Sequence, residues 1–95
     1  MAAIIQYVDV QWRPRIVELG TETISVGRRS GCEIQLDDRS VRRRHAEIFH
    51  YKGQYWIRAL NGDELMVDGE LVNNHPLKHL DKVRCGAVTL EYFEK

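Results

Sequence analysis

The eight residues 65–72 read Leu65-Met66-Val67-Asp68-Gly69-Glu70-Leu71-Val72. An Asp-Gly pair between two short apolar runs suits the positive φ angles of a type I′ turn, so this stretch predicts a β-hairpin. A hairpin of this kind belongs to an antiparallel sheet, and the sequence on both sides of it indicates further short strands.

Apolar and polar residues alternate in short runs through most of the chain, which is typical of half-buried strands. The runs are 4–10, 23–27, 46–51, 55–58 and 88–93. In the first of them Ile4, Gln6, Val8 and Val10 share one side of the extended segment. Segment 37–45 shows neither alternation nor an apolar helical stripe, so we expect a long polar connection there.

Turn-forming residues separate these runs. The predicted turns are Arg13-Pro14, Leu19-Gly20, Ser30-Gly31, Asp37-Asp38, Lys52-Gly53, Asn61-Gly62, Asp68-Gly69, Asn74 through Pro76, and Cys85-Gly86. Many short strands with turns at this spacing predict an all-β fold, an antiparallel sandwich or barrel. We expect residues 1–95 to form one domain.

The composition excludes several classes of protein. The chain has 95 residues, 43% of them hydrophobic, with 14 basic and 14 acidic side chains, so its net charge is zero. A neutral total argues against wholesale binding to nucleic acids or membranes. No apolar run is long enough to span a bilayer, and no basic residue precedes Asp9, so we expect neither membrane insertion nor a signal peptide. Cys32 and Cys85 are too few for a disulfide framework, which predicts a reduced, cytoplasmic protein.

Five segments, in this order, resemble the motifs of the forkhead-associated (FHA) domain. One ends in the Gly-Arg pair typical of the family, and one resembles its short strand with an acidic turn. The others are similar to its Ser-Arg-x-His-Ala motif, its Val-Asn-Gly hairpin and its closing Gly-Asp-x-Ile segment. The five segments are residues 24–28, 32–38, 41–48, 65–71 and 80–86. The resemblance implies an antiparallel β-sandwich of about eleven short strands with recognition loops at one end.

The same resemblance implies a non-enzymatic module that binds phosphothreonine peptides through those loops and needs no cofactor. Arg28 would be the main phosphate ligand, since a guanidinium forms paired, charge-assisted hydrogen bonds with phosphate. Arg42 and Arg43 would assist. Gly27 would let the chain bend so that Arg28 projects from the strand end, and His45 would hold the loops together.

Three positions depart from the family pattern. One of them, Asp68 in place of the hairpin asparagine, is a conservative change for a turn, and the other two bear on ligand binding. The family's serine, which contacts the phosphate, is replaced by Arg42. Its asparagine, which holds the peptide backbone, falls on Asp63 when the alignment has no gap. A carboxylate only accepts hydrogen bonds and would repel a phosphate, whereas an amide both donates and accepts. An insertion of two residues would bring Asn61 to that position instead, and we favour the ungapped alignment because it needs none.

The two substitutions leave two hypotheses open. Arg42 either adds a second guanidinium to a phosphate pocket, or forms an ion pair with Asp63 that occludes the pocket. The first predicts a phosphothreonine-binding module. The second predicts a divergent FHA domain that binds a partner protein, or a second copy of itself, without phosphate. The chain is either a protein in its own right or a segment of a longer one.

The remaining candidate sites have simpler interpretations. The arginines between residues 28 and 44 lack interleaved aromatic residues for base stacking, so nucleic-acid binding is not favoured. His75 and His79 have HxxxH spacing, but Pro76 lies between them, and we expect no metal site. No serine lies in a nucleophile-elbow context, so we predict no catalytic residue. Aromatic side chains that shared an exposed sheet face would form a protein-binding or dimerisation surface. The aromatic residues considered are Trp12, Tyr51, Tyr55, Trp56, Tyr92 and Phe93.

Overall fold

The computed structural model describes residues 3–9 and 11–95. Met1, Ala2 and Val10 lie outside the described residues, and with them the predicted side of Val10. The described residues form eleven strands and no helix. The strands are β1 (Ala3–Val8), β2 (Pro14–Leu19), β3 (Ile24–Gly27), β4 (Ile34–Gln35), β5 (Ala46–Tyr51), β6 (Gln54–Ala59), β7 (Leu65–Val67), β8 (Glu70–Val72), β9 (Asn74–Pro76), β10 (Lys82–Cys85) and β11 (Val88–Glu94).

The strands form two sheets, as expected for a sandwich. One sheet has six strands in the order β2-β1-β11-β10-β7-β8, and the other has five in the order β4-β3-β5-β6-β9. All pairings are antiparallel except β3 with β4, where Val26 pairs with Ile34 in a parallel register. The all-β sandwich prediction is therefore confirmed. No helix among the described residues is long and apolar enough to cross a membrane.

The hairpin at residues 65–72 is confirmed. Asp68 and Gly69 have φ angles of 51° and 80°, as a type I′ turn requires. The turn predicted at Asn74–Pro76 is wrong, because these residues form β9 and pair with β6. Since β9 lies at a sheet edge, Pro76 can sit there although it has no backbone N–H to donate.

The core lies between the two sheets. Alternate residues of β5, β6 and β11 point into it, as the alternation predicts. In β1 the buried side is that of Ala3, Ile5 and Tyr7, whereas Ile4 is half-buried and Val8 is exposed. The fully buried large side chains are Ile5, Val26, Ile34, Val41, Ile48, Ile57, Leu65, Leu77, Val83, Cys85, Leu90 and Tyr92.

Both cysteines are buried and free. Burial raises the pKa of the Cys85 thiol to about 12, so that side chain behaves as an apolar group at neutral pH. Cys32 lies closer to the surface, where its thiol donates to the Arg43 carbonyl at 3.5 Å.

The aromatic residues do not gather on one exposed face. Tyr55 and Tyr92 are in the core, and Trp12 is 87% exposed in the loop between β1 and β2. Trp56 lies in the five-stranded sheet, where it stacks on Phe49 of the neighbouring strand. Of the six residues considered, only Tyr51 and Trp56 share an outer sheet face, that of the five-stranded sheet, together with Phe49.

Candidate functional site

The arginine-rich loop 42–44 docks along the end of β3 through backbone hydrogen bonds. The Arg28 N–H donates to the Arg42 carbonyl at 2.9 Å, and the Arg29 N–H donates to the Arg43 carbonyl at 3.1 Å. In addition, the His45 N–H donates to the Val26 carbonyl at 2.9 Å. These bonds bring Arg28 beside Arg42 and Arg43, which lie in a later loop of the chain, at one end of the sandwich.

Gly27 permits this docking because it has no side chain. A Cβ atom there would lie 2.3 Å from the Arg43 carbonyl oxygen and 3.1 Å from that of Arg42. The expected role, a sharp bend of the chain, is not what the structure shows. Gly27 ends β3 with no positive φ, and glycine is required there by the close approach of the neighbouring backbone.

His45 connects two loops. It is 4% exposed, and its Nδ1 accepts a hydrogen bond from the Arg42 N–H at 3.1 Å. Its Nε2 lies 3.0 Å from the Glu64 carbonyl oxygen. These two contacts together require the neutral tautomer with its proton on Nε2. The Leu60 N–H also donates to the His45 carbonyl, so the loop after β6 is held against loop 42–44 at two points.

Arg42 and Asp63 form an ion pair across these loops. The Arg42 Nε donates to Asp63 Oδ1 at 3.0 Å. Asp63 is only 12% exposed at the base of its loop, whereas the Arg42 side chain is 74% exposed. The carboxylate is therefore committed to Arg42, while most of the guanidinium still faces solvent.

Asn61 occupies the tip of the loop between β6 and β7. The Asp63 N–H donates to the Leu60 carbonyl, and Asn61 and Gly62 have φ angles of 54° and 75°. The Asn61 amide donates to the Arg44 carbonyl at 3.4 Å. This tip and loop 42–44 enclose a shallow depression, which Asn61 and Asp63 line from the same side.

A second depression lies beside the first, between β3 and β4. Arg28, Arg29 and Arg43 line it, together with Ser30, Gln35 and Asp37. None of the three arginines forms an ion pair with any residue in the described part of the chain. Gln35 lies under the rim, where its Nε2 donates to the Arg28 carbonyl at 3.3 Å. Three arginines and one carboxylate, that of Asp37, therefore give the depression a net positive charge.

Ser40 forms contacts at the loop end that the motif comparison does not indicate. Its hydroxyl donates to Asp38 Oδ1 at 2.5 Å and accepts the Ala87 N–H at 2.7 Å. The pKa of Asp38 is lowered by the hydrogen bonds from the Ser40 hydroxyl and backbone N–H. The spacing of Asp38 and Ser40 is typical of an Asx turn, which is the signal in the sequence. This contact ties the loop before β5 to the turn between β10 and β11.

The two histidines with HxxxH spacing are engaged separately. His75 Nε2 lies 2.9 Å from Asp81 Oδ2, and His79 Nδ1 accepts the Glu94 N–H. The residues described by the structure contain no cluster of His, Cys, Asp and Glu side chains that could hold a metal ion.

A family model described as the FHA domain matches residues 24–86. No curated protein matches the sequence. The family match spans the segments that build both depressions and ends at Gly86, against which Ser40 packs.

Solved structures show the same fold along the whole chain. An FHA domain from a study of phosphothreonine-dependent FHA interactions superposes with a TM-score of 0.87 at 23% identity, covering 100% of this chain and 98% of that one. The FHA domain of the CT664 protein from Chlamydia trachomatis gives 0.87 at 19% identity, with coverage of 100% and 99%. The FhaA FHA domain, in complex with the intracellular domain of Rv3910, gives 0.82 at 24% identity, with coverage of 95% and 98%. At these identities the likeness establishes the fold and leaves the ligand open.

Proposed function

This chain belongs to the FHA domain family, and we propose that it is a non-catalytic interaction module whose loop end binds a phosphothreonine-containing partner protein. The observation that carries the proposal is the depression lined by Arg28, Arg29 and Arg43, whose guanidinium groups have no acidic ion-pair partner in the described part of the chain. A phosphate dianion offers the acceptors and the charge that such a cluster lacks.

Each predicted site residue has a role in this proposal. Arg28 is the main phosphate ligand, and Arg43 approaches from the neighbouring loop, because its backbone is fixed against β3. Arg42 assists with the part of its guanidinium that Asp63 does not engage. Gly27 and His45 keep the loops in place without touching the ligand.

The contact with the peptide backbone is assigned to the loop between β6 and β7. Asn61 presents an amide at the exposed tip, whereas Asp63 presents a carboxylate that already accepts from Arg42. Of the two, only the amide can both donate to and accept from a peptide group. We therefore assign the backbone contact to Asn61 and the positioning of Arg42 to Asp63.

A second candidate function is supported by the ion pair itself. Because Asp63 engages Arg42, the depression that these two residues line can face a partner that carries no phosphate. In that case the module would bind an unmodified protein surface through the same loops.

Titration of a phosphothreonine peptide library tests the proposal, with the same peptides unphosphorylated as the reference. We expect binding that requires the phosphate and weakens at least about tenfold in Arg28→Ala, the scale of a lost charge-assisted hydrogen bond. Arg84→Ala is the matched control, since Arg84 is an exposed arginine of β10 that lines neither depression. Equal affinity for both peptide forms would support the phosphate-independent alternative, and no binding of the phosphorylated form would contradict the proposal.

A further inference from the structure

The outward face of the six-stranded sheet is unusually apolar for a surface in contact with water. In an antiparallel sheet with one side in the core, the outward residues are normally polar. Here Val8 is 48% exposed, Ile16 is 61% exposed and Leu71 is 60% exposed, and each lies on the outward side of its strand. The half-buried Met66 and Phe93 point the same way. Apolar side chains gathered on one face in this manner mark an interaction surface.

Opposite charges are paired on the outer side of one sheet and unpaired on the outward face of the other. In the five-stranded sheet Glu47 and Arg58 lie opposite each other and form an ion pair, and the Arg58 guanidinium lies 4.5 Å from the centroid of the Phe49 ring. In the six-stranded sheet Lys82 and Glu91 are opposite each other in the same way. Neither forms an ion pair with any residue in the described part of the chain. Two opposite charges on the outward face therefore remain available to another molecule.

The positions of these two charges select a second copy of the chain as the partner. The middle of the strand order β2-β1-β11-β10-β7-β8 lies between β11 and β10. A two-fold axis placed there, parallel to the strands, sets the outward faces of two copies together and reverses the strand order between them. Because Lys82 and Glu91 are register partners on either side of that axis, Glu91 of each copy lies over Lys82 of the other. Each charge thus meets an opposite charge.

The same axis brings apolar side chains together on both sides of the charges. Val8 pairs with Pro14 on one flank of the face, and Met66 pairs with Leu71 on the other. The two pairs are level along the strands, because the register carries one row of outward residues from β1 through β11 and β10 to β7. Since β1 and β7 are equally far from the axis, and so are β2 and β8, Val8 lies over Met66 of the other copy and Pro14 over Leu71. We propose that two copies of this chain associate face to face about this axis.

The outward face is large enough for such a dimer. Its six strands lie about 4.8 Å apart and its longest strands extend for about 20 Å, so two faces bury roughly 1,000 Å² between them, the lower bound of a specific interface. Trp12, which is 87% exposed, lines a depression at the rim of the face together with Val8 and Glu91. It supplies an aromatic group of the kind that is enriched in interfaces. An interface of this size predicts a dimer that dissociates on dilution.

Sedimentation equilibrium of the purified chain tests the association. The mean mass should approach twice the 11.1 kDa of one chain at high concentration and fall on dilution. Val8→Asp should weaken the dimer at least about tenfold, because it sets a charge against the apolar Met66 of the other copy. Tyr51→Asp is the matched control, since Tyr51 is 54% exposed and lies on β5 of the other sheet. A chain that stays monomeric at millimolar concentration would overturn the proposal, and so would a dimer that both variants weaken equally.

A charge exchange tests the position of the axis. Glu91→Lys and Lys82→Glu should each weaken self-association at least about tenfold, because each sets like charges over one another at both ion pairs. When the two variants are mixed in equal amounts they should form a heterodimer, since every one of these charges then faces an opposite charge on the other copy. Within each variant the two neighbouring residues still repel each other, so recovery in the mixture reports contact between copies and not contact within one chain.

The same exchange on the other sheet is the control. Glu47→Arg and Arg58→Glu alter a pair that is likewise opposite across two central strands, but on the five-stranded sheet. Neither variant should change the mass at any concentration, and thermal unfolding shows that each variant is folded before it is mixed. A mixture of Glu91→Lys and Lys82→Glu that associates no better than either variant alone would overturn the proposed axis.

Discussion

The two depressions at the loop end share Arg43 and each contain one aspartate, but only one of the two aspartates forms an ion pair. In one, Arg42 is paired with the nearly buried Asp63. In the other, Arg28, Arg29 and Arg43 face solvent with no ion-pair partner in the described part of the chain.

Arg42 and Arg43 are neighbours in sequence, so residue type alone does not separate them. Their partners do: Asp63 accepts from Arg42, whereas Asp37 lines the second depression without forming an ion pair with Arg43. The comparison shows that an arginine is available for a ligand where no carboxylate pairs with it.

Both depressions depend on the docking of loop 42–44 against β3, and a side chain at position 27 would disrupt that docking. In Gly27→Ala the new Cβ would meet the Arg43 carbonyl at 2.3 Å, so loop 42–44 must move away from β3. We expect the free energy of unfolding to fall by about 3 kcal/mol, as overpacking of this kind typically costs, and phosphopeptide binding to be lost. Urea denaturation measures the first effect.

Gly31→Ala is the matched control for that experiment, since a Cβ there has no neighbour within 4 Å. We expect it to change stability by less than about 0.5 kcal/mol. If Gly27→Ala were equally harmless, the close approach would not be what positions the arginines.

The bridge between the two loops can be removed at His45. In His45→Ala the Arg42 N–H and the Glu64 carbonyl both lose a partly buried hydrogen-bond partner. We expect the free energy of unfolding to fall by about 2 kcal/mol, because both polar groups are left without a hydrogen-bond partner. Thermal unfolding followed by circular dichroism measures it, with the exposed His50 replaced by alanine as the control. Equal melting temperatures for the two variants would show that the loops stand without the bridge.

Asp63→Asn tests whether the ion pair with Arg42 is what distinguishes the two depressions. This change removes the ion pair with Arg42 and places an amide at the position where the family has an asparagine. We expect a change in stability below about 1 kcal/mol, because Arg42 is largely exposed. Phosphopeptide affinity should rise by about tenfold, as a like charge is removed and a second guanidinium is released.

Asp68→Asn is the control for this last change. It makes the same replacement at the tip of the β7–β8 hairpin, where Asp68 forms no ion pair with any described residue. Its affinity should equal that of the unaltered protein. An Asp63→Asn variant with unchanged or weaker affinity would show that the depression containing Arg42 and Asp63 plays no part in phosphate binding.

The alternation of apolar residues predicted β1, β3, β5, β6 and β11, and the Asp-Gly turn predicted β7 and β8, whereas β2 and β10 were missed. It failed where a residue's environment depends on distant parts of the chain. In β1 the pattern offers Ile4 and Val8 on one side and Ile5 and Tyr7 on the other, and only the pairing with β11 and β2 decides which side is buried. Pro76 has the local properties of a turn residue, yet it lies in a strand because β6 has a free edge beside it.

The sequence motifs predicted most residues of the candidate site but not all of their contacts. The motifs brought forward Gly27, Arg28, Arg42, His45 and Asp63, and the structure places all five at one end of the sandwich. Ser40 was missed because its hydrogen bond to the Ala87 N–H spans 47 positions of the chain. No local pattern can indicate a contact of that range.

Strand periodicity, turn residues and the order of the motifs indicated an FHA-type sandwich and the residues that gather at its loop end, because these features can be read along the chain. How those residues are used depends on the contacts between distant segments. Gly27 is needed for the close approach of another backbone, Asp63 is engaged by Arg42, and Arg28 and Arg43 remain without an acidic partner. Ion pairing and close packing depend on distances between segments far apart in sequence, and only the folded chain sets those distances.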